Sequence, residues 1–232
     1  MSKVALQIAE NVAAIRGKIA SAAARSSRGP EAVTLVAVTK FLPADVVRAL
    51  VEAGCHDLGE SRPQELWQKA DALADLPIRW HLIGHLQRNK VRRTLPLVAM
   101  VQSIDSPRLA TAVDEERAGE PLPVLLEVNI SGETAKHGFT PDEMEPFLAE
   151  ASSYRKLAIR GLMGMAALEG GPDAARRDFA ALRDLRDRLR GRCPPGVSLD
   201  ELSMGMSGDF EAAIEEGATI VRIGSALFEG LK

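Results

Sequence analysis

The stretch from Val33 to Pro43, VTLVAVTKFLP, decides the fold of this chain. Its first six residues are apolar or β-branched and lie between turn-forming segments, which is the pattern of a short strand buried on both faces. The run ends in Thr39 and Lys40, and a helical pattern follows over residues 44–53. The stretch therefore predicts a β-α unit with polar side chains at the carboxyl end of its strand.

The same alternation continues along the chain. Helical patterns separate seven further strand candidates, at residues 56–58, 79–82, 98–101, 124–129, 158–162, 201–204 and 219–223. Eight β-α units in about 200 residues are typical of a (β/α)8 barrel. A doubly wound sheet is the alternative, but the sequence contains neither a GxGxxG motif nor a GxxxxGK[ST] loop. We therefore predict the α/β class and a single TIM-barrel domain over residues 1–232.

An extra helix precedes the first strand. Five apolar residues recur at intervals of three or four and so share one helix face: Val4, Ile8, Val12, Ile15 and Ile19. A helix over residues 1–25 is therefore predicted to pack on the barrel through this face.

The composition favours a soluble globular protein with a small-molecule ligand. Of the 232 residues, 46% are hydrophobic and 26% are charged, and the net charge of -3 gives no general attraction to nucleic acid or to anionic membranes. The basic cluster Arg88, Lys90, Arg92 and Arg93 lacks interleaved aromatic side chains, so a solvated helix face is the better interpretation. We find no signal-peptide core and no run of about 18 apolar residues, which predicts neither export nor membrane insertion.

Cysteine and histidine usage predicts a reduced protein without a bound metal. Cys55 and Cys193 are the two cysteines, and the absence of a CxxC pair argues against a disulfide framework and a structural zinc site. The chain is therefore expected in the cytoplasm. His81 and His85 are four residues apart, but HLIGH spans a strand end and a glycine, so helical geometry is not expected and no metal site is predicted.

Polar residues and glycines collect at the carboxyl ends of the predicted strands, where barrels have their active sites. Lys40 follows the first strand. A lysine at the mouth of an apolar strand is expected to be partly desolvated, which lowers the pKa of its amine and lets the neutral form attack an aldehyde to give a Schiff base. The alternative is a rim lysine whose ammonium extends into water.

Two candidate phosphate-binding segments follow the last two strands. In GMSGDFEAAIEEG, Ser207 and Gly208 precede an amphipathic helix whose first N–H groups attract an anion. In VRIGSALFEG, Gly224 and Ser225 open a short helix after the eighth strand, where barrels commonly bind phosphate. The alternative for each segment is an ordinary helix N-cap.

Six motifs together resemble one family. In chain order they are VAVTK, LGESRPQE, WHLIGHLQRNK, VNISGETAKHGF, GLMGM and LSMGMSGDFEAAIEEGATIVRIGSALFEG. The chain resembles the YggS/PROSC family of pyridoxal 5′-phosphate (PLP) homeostasis proteins over most of its length. The resemblance implies a barrel of the alanine-racemase N-terminal-domain type without the racemase's second domain, and PLP as cofactor in Schiff-base linkage to Lys40.

The resemblance also implies which other residues bind the cofactor. Its phosphate would be held by Ser207, Gly224 and Ser225, its pyridine nitrogen would face Arg222, and its ring would contact Ser61, His81, Asn129 and Met163. Three positions depart from the family pattern. Ser61 replaces the usual asparagine, Arg62 replaces an aromatic residue, and His85 stands where proline is common. These departures affect ring packing and access.

The resemblance implies a protein that carries or buffers PLP and supports intracellular PLP and amino-acid/keto-acid balance, without established turnover. Arg222 supplies a physical reason, because a guanidinium beside the ring nitrogen disfavours its protonation and makes the ring a poorer electron sink. The expected partners are PLP and PLP-dependent apoenzymes, with no nucleic acid and no membrane. We expect a monomer.

A PLP-dependent, racemase-like enzyme is the alternative. Inversion at Cα needs a second acid or base on the opposite face of the ring, which a tyrosine from a partner's second domain provides in racemases. The one tyrosine here, Tyr154, falls in a predicted helix-to-strand loop before the sixth strand. No catalytic residue is therefore predicted. A purely protein-binding barrel is a third alternative, which light absorption by a bound aldehyde would exclude.

Overall fold

A computed structural model of the chain describes residues 2–134 and 136–231. Eight parallel strands in these residues close into a barrel in chain order, with the last strand paired to the first. They are β1 Thr34–Val38, β2 Asp57–Glu60, β3 Arg79–Leu82, β4 Met100–Ile104, β5 Leu122–Val128, β6 Leu157–Gly164, β7 Glu201–Ser203 and β8 Ile220–Ile223. The predicted (β/α)8 TIM barrel is confirmed.

Helices surround the barrel. They are α1 Lys3–Arg25, α2 Ala44–Glu52, α3 Pro63–Ala72, α4 Val91–Thr94, α5 Pro107–Glu116, α6 Met144–Ala149, α7 Gly171–Arg190 and α8 Phe210–Glu215. Short 3-10 turns lie between them, at Pro30–Ala32, Arg88–Lys90, Leu95–Leu97, Pro141–Glu143, Ala151–Ser153 and Ser225–Phe228. None of these helices is both long and apolar enough to span a bilayer.

The predicted and observed elements differ at two places around β4. The helix expected through QRNKVRR is only a 3-10 turn followed by the single turn of α4. The strand β4 ends at Ile104 instead of the predicted residue 101. Its last residues include Gln102 and Ser103, which break the apolar run in the sequence although both are fully buried.

Helix α1 buries Ile8, Val12, Ile15 and Ile19 and contacts α2 and α8. Val4 is 39% exposed, so its predicted place on the packing face is wrong; its neighbour Ala5 is the buried residue of the first turn. Asn11 Nδ2 donates to the carbonyl of Glu229 at 2.9 Å, which ties α1 to the C-terminal segment. The domain bounds 1–232, with 1–25 as the packed helix, stay a prediction; Met1 and Lys232 lie outside the described residues.

Two apolar layers hold the barrel together. One layer lies between the strands and the helices, and the other is a small interior cluster of Val36, Leu125, Met163 and Ile220. Several polar side chains are also buried, and the strands carry these of them: Glu60, His81, Gln102, Ser103, Glu127, Ser203 and Arg222. Because buried polar groups require partners, this polar set marks the part of the barrel where function is to be sought.

Candidate functional site

The turn after β1 carries Lys40. β1 ends at Val38, Thr39 is buried, and Lys40 is exposed at the mouth of the barrel. The expectation of a partly desolvated amine is therefore wrong, because Thr39 is the last buried residue of this segment and Lys40 lies outside it. The amine instead lies where a small molecule can reach it from solvent.

The backbone of this turn is strained beside the lysine. Phe41 has a φ of +65°, a left-handed conformation that bulky residues rarely adopt. Its side chain is 70% exposed, and the guanidinium carbon of Arg62 lies 5.5 Å from the centre of its ring. Arg62, which replaces the family's usual aromatic residue, thus makes a cation–π contact with the turn that carries Lys40.

A buried ion pair supports the same turn from inside. The Glu60 carboxylate at the end of β2 is fully buried and accepts hydrogen bonds from the Thr39 hydroxyl, at 2.6 Å, and from the Lys69 ammonium. Lys69 also donates to the Thr39 carbonyl at 2.6 Å. The pair therefore fixes both the side chain and the carbonyl of the residue that precedes Lys40.

Backbone donors converge at the loops after β7 and β8, which adjoin β1 in the closed barrel. The Ser207 hydroxyl accepts hydrogen bonds from the N–H groups of Gly224, at 3.2 Å, and of Ala226, at 3.3 Å. Ser207, Gly208 and Ser225 line the cleft beside these donors. Hydroxyl and N–H groups thus gather at one point, as an anion site requires.

The two predicted phosphate segments differ in their local structure. Gly224 precedes the 3-10 helix Ser225–Phe228, which confirms the short helix expected after the eighth strand. The helix expected after Ser207 is shorter than its pattern suggested, because α8 has 6 residues and starts at Phe210. Its dipole adds little at Ser207, so the donors come from the loop after β8 instead.

Arg222 lies in the barrel interior, two residues before Gly224. Its Nη1 donates to the Ser203 hydroxyl at 2.6 Å, and its Nη2 donates to the Gly164 carbonyl at 3.0 Å. Burial lowers the pKa of Arg222 to about 10, so the guanidinium still carries its charge at neutral pH. Its position is set by contacts from β6 and β7.

A chain of hydrogen bonds, called the relay below, runs from Arg222 across the barrel interior. The Ser203 hydroxyl donates to Gln102 Oε1 at 2.6 Å, and Gln102 Nε2 lies 3.0 Å from Nδ1 of His81. His81 Nε2 lies 3.0 Å from Asp57 Oδ1. With every donor pointing from Arg222 towards Asp57, the network assigns the proton of a neutral imidazole to Nε2.

The relay ends at Asp57, the first residue of β2. Burial opposes the ionisation of this carboxyl, but hydrogen bonds from His81 and Arg79 outweigh the burial and lower its pKa to about 2. The relay therefore has a cation at one end and an anion at the other, and His81 acts through Gln102 and Ser203 to position Arg222.

The other three ring residues lie in different surroundings. Asn129 follows β5 and donates through Nδ2 to the Glu133 carbonyl at 2.9 Å, while its Oδ1 is buried without a partner among the described residues. Met163 packs in the interior cluster. Ser61 is partly buried after β2, and a Cβ on Gly84 would lie 2.4 Å from the Ser61 carbonyl oxygen. Glycine at position 84 thus allows the loops after β2 and β3 to lie close to each other.

Another buried carboxyl belongs to Glu127, the penultimate residue of β5. Burial and the charge of Asp105 raise its pKa to about 7, although the charges of Arg222 and His85 oppose the shift. Its protonated and ionised forms are therefore both populated near neutral pH. A group of this kind can donate or accept a proton inside the barrel.

Sequence reasoning missed three interior residues, Gln102, Ser203 and Glu127. Ser203 carries no mark in the sequence, because β7 comprises only Glu201–Ser203. Gln102 and Glu127 adjoin apolar runs in β4 and β5, and a polar residue at such a position inside a barrel must find a partner. That signal could have identified them. No comparable signal marks Lys69, which belongs to the ordinary helical pattern of α3 and meets Glu60 only in the folded chain.

The residues at the mouth fit the cofactor that the resemblance implies. An exposed amine at Lys40 can bind an aldehyde. The N–H groups of Gly224 and Ala226, which donate to the Ser207 hydroxyl, are donors of the kind that a phosphate oxygen requires. Within the described chain, Oε2 of Glu60 and Oδ1 of Asn129 are buried acceptors without partners. The individual binding roles of the nine predicted residues stay predictions.

Comparison with known proteins gives a consistent result. Residues 10–231 match the family model described as the N-terminal domain of alanine racemase. The chain is 45% identical to the pyridoxal phosphate homeostasis protein of Pseudomonas aeruginosa, an alignment that covers 95% of this chain and 94% of that protein.

Solved structures extend the comparison to three dimensions. The structure of PipY from Synechococcus elongatus PCC7942 with PLP bound has a TM-score of 0.83 at 35% identity and covers 95% of this chain and 99% of that chain. Alanine racemase from Corynebacterium glutamicum has a TM-score of 0.73 at 18% identity, with coverage of 98% of this chain and 64% of that chain. The racemase shares the barrel fold.

Proposed function

The chain belongs to the family of pyridoxal phosphate homeostasis proteins, and from this membership we propose that it binds PLP and carries or buffers it through a Schiff base at Lys40. One observation carries the proposal. The exposed Lys40 amine follows β1, and the N–H groups of Gly224 and Ala226 converge on Ser207 in the loops after the adjoining strand.

Bound PLP supplies an aldehyde that reacts with amines and a ring that accepts electrons. Ser207, Ser225 and the N–H groups after β8 would bind its phosphate. Arg222, held by Ser203 and Gly164, would face the ring nitrogen with a fixed positive charge. That charge disfavours protonation of the nitrogen, so this chain is suited to holding PLP and poorly suited to chemistry at Cα.

Racemase activity is the less favoured alternative. Tyr154 precedes β6 and therefore lies at the amino end of the barrel, whereas Lys40 follows the carboxyl end of β1. The ring of Tyr154 stacks on Phe147, with centroids 5.6 Å apart. It cannot serve as the second acid or base across a ring bound at Lys40.

The proposal extends to partners and location. PLP released from Lys40 would load PLP-dependent apoenzymes and so support amino-acid and keto-acid balance, with the chain acting as a monomer in the cytoplasm. Both cysteines, Cys55 and Cys193, are free thiols, which agrees with a reducing compartment.

Covalent trapping tests the proposal. Protein mixed with PLP should turn yellow, and borohydride reduction followed by peptide mapping should place the pyridoxyl mass on Lys40. Lys40→Ala should remove the label, and the control Lys90→Ala should retain it. A label found mainly on Lys69, Lys90 or Lys136 would refute the site.

Exchange at Cα tests the absence of turnover separately. Alanine in heavy water should exchange its Cα proton at far less than about 1 per second in the presence of protein and PLP, as followed by NMR. Wild type and Lys40→Ala should be equally inert. Fast exchange in the wild type that disappears in Lys40→Ala would establish an enzyme instead of a carrier.

A further inference from the structure

We propose that His85, Asp105 and His137 bind a divalent transition-metal ion such as Zn²⁺ at the mouth of the barrel. Each residue offers one ligand atom, and the three atoms lie within 4.8 Å of one another. His85 follows β3, Asp105 follows β4 and His137 follows β5. Three consecutive loops of one barrel face therefore bring the donors together.

The first two ligands are held in place before any ion binds. Nδ1 of His85 lies 2.8 Å from Oδ2 of Asp105, and Oδ1 of Asp105 accepts a hydrogen bond from the Ser106 hydroxyl at 2.9 Å. The Asp105 side chain is only 8% exposed, whereas that of His85 is 43% exposed. The Asp105 carboxylate is thus rigid, and ions can reach the His85 imidazole beside it from solvent. Binding of an ion would release the proton shared between Nδ1 and Oδ2.

The third ligand stands directly against the first. The rings of His85 and His137 are stacked with centroids 4.4 Å apart and planes inclined by 17°. His137 is thus close enough to His85 for both imidazoles to reach one ion. The nitrogen lone pairs lie in the planes of the rings, so the imidazoles must turn out of this stack to coordinate one ion.

The donor set selects the chemical class of the ion. Two imidazole nitrogens and one carboxylate oxygen form a common set of three protein ligands for zinc-like ions, in which water or another ligand takes the fourth position. Mg²⁺ and Ca²⁺ prefer all-oxygen surroundings. The site is accordingly expected to prefer Zn²⁺, Co²⁺ or Ni²⁺ to Mg²⁺.

This site differs from the His81 and His85 pair considered in the sequence. His81 faces the barrel interior and belongs to the relay, whereas His85 faces the mouth. Its partners in the proposed site are Asp105, from the loop after β4, and His137, from the loop after β5. A metal ion there would join the loop after β5 to the loops after β3 and β4, across the barrel mouth from the phosphate donors of β7 and β8.

Metal titration tests the inference on the full chain without added PLP, because PLP itself chelates metals. Calorimetry with Zn²⁺ should show one site per chain, and Co²⁺ should give visible absorption bands. His85→Ala and His137→Ala should each weaken Zn²⁺ binding at least tenfold and remove the Co²⁺ bands. Mg²⁺ should not compete with Zn²⁺.

Two control variants separate this site from other donors. His56→Ala removes a histidine at the amino end of β2, and Cys193→Ser removes a partly buried thiol; both should bind Zn²⁺ as the wild type does. Circular dichroism should confirm that all variants are folded. Wild-type binding of Zn²⁺ by the double variant His85→Ala/His137→Ala, or no binding by the wild type, would overturn the proposal.

Discussion

The turn after β1 and the turn after β7 both need a residue in the left-handed conformation, and they meet that need differently. The β7 turn uses Gly205, with φ of +93°, where a Cβ would lie only 2.6 Å from the Cβ of Ala213. The β1 turn uses Phe41, with φ of +65°. Glycine adopts this conformation freely, whereas a residue with a side chain is strained by about 1–2 kcal/mol. The turn that carries Lys40 therefore stores strain that the β7 turn avoids.

The supports beneath the two turns also differ. A buried ion pair between Glu60 and Lys69 holds the residue before Lys40, whereas the relay from Asp57 holds Arg222 beside the phosphate segment. Removing either partner of a buried ion pair costs much stability, because the remaining ion is buried without a counter-charge. Removing one hydrogen bond of the relay costs less stability, because most of its hydrogen bonds join neutral groups.

Breaking the ion pair should have the largest effect. Lys69→Ala leaves the Glu60 carboxylate fully buried without its cation, and the free energy of unfolding should fall by about 3–5 kcal/mol. Urea unfolding measures the loss. The double variant Glu60→Gln/Lys69→Met removes both charges and should recover most of it.

An exposed ion pair provides the matched control for that experiment. Arg48 and Asp75 form a bidentate pair in which the side chains are 40% and 61% exposed. Arg48→Ala should change stability little, since surface pairs contribute little. A loss in Lys69→Ala no larger than in Arg48→Ala would show that the buried pair does not support the β1 turn.

Removing the proposed phosphate donors should have the next largest effect. Ser207→Ala and Ser225→Ala should each weaken PLP binding by roughly 10- to 150-fold, because a hydrogen bond to a charged group contributes about 1.5–3 kcal/mol. Pyridoxal, which lacks the phosphate, should bind both variants as it binds the wild type. Ser198→Ala, at a partly buried serine before β7 whose hydroxyl is buried, serves as control. Equal weakening for PLP and pyridoxal would mean that the two serines only shape the loops.

Breaking the relay should give a pH-dependent loss. The pKa of Asp57 falls from 3.8 to about 2 in the fold, so its ionised form stabilises the protein above pH 3.8 and that contribution disappears as the pH falls towards 2. Asp57→Asn should therefore cost about 2 kcal/mol at pH 7, and the difference from wild type should shrink between about pH 4 and pH 2. Urea unfolding at several pH values measures this. A constant difference would locate the effect in packing instead of charge.

The contrast between the two turns also shows what the sequence could predict. Lys40, Gly224 and Ser225 could be placed at the mouth because each follows a strand whose apolar run is plain in the chain, and Ser207 because it precedes an amphipathic helical pattern. The sequence did not predict the strain at Phe41 or the Glu60–Lys69 pair. A left-handed backbone at a phenylalanine and an ion pair between a helix and a strand arise only when tertiary contacts impose them. The same holds for the cluster of His85, Asp105 and His137, whose members are 20 and 32 residues apart in sequence.

Relieving the strain at Phe41 should have the smallest effect and test the contrast most directly. Phe41→Gly and Phe41→Ala both remove the ring and its contact with Arg62, but only glycine also removes the left-handed strain. Phe41→Gly should therefore be more stable than Phe41→Ala by about 1 kcal/mol in urea unfolding. At Leu168, which is 91% exposed and does not have a positive φ, the order should be reversed, because glycine loses more backbone entropy on folding there. If alanine is the more stable residue at both positions, the β1 turn is relaxed in solution and the difference between the two turns does not hold.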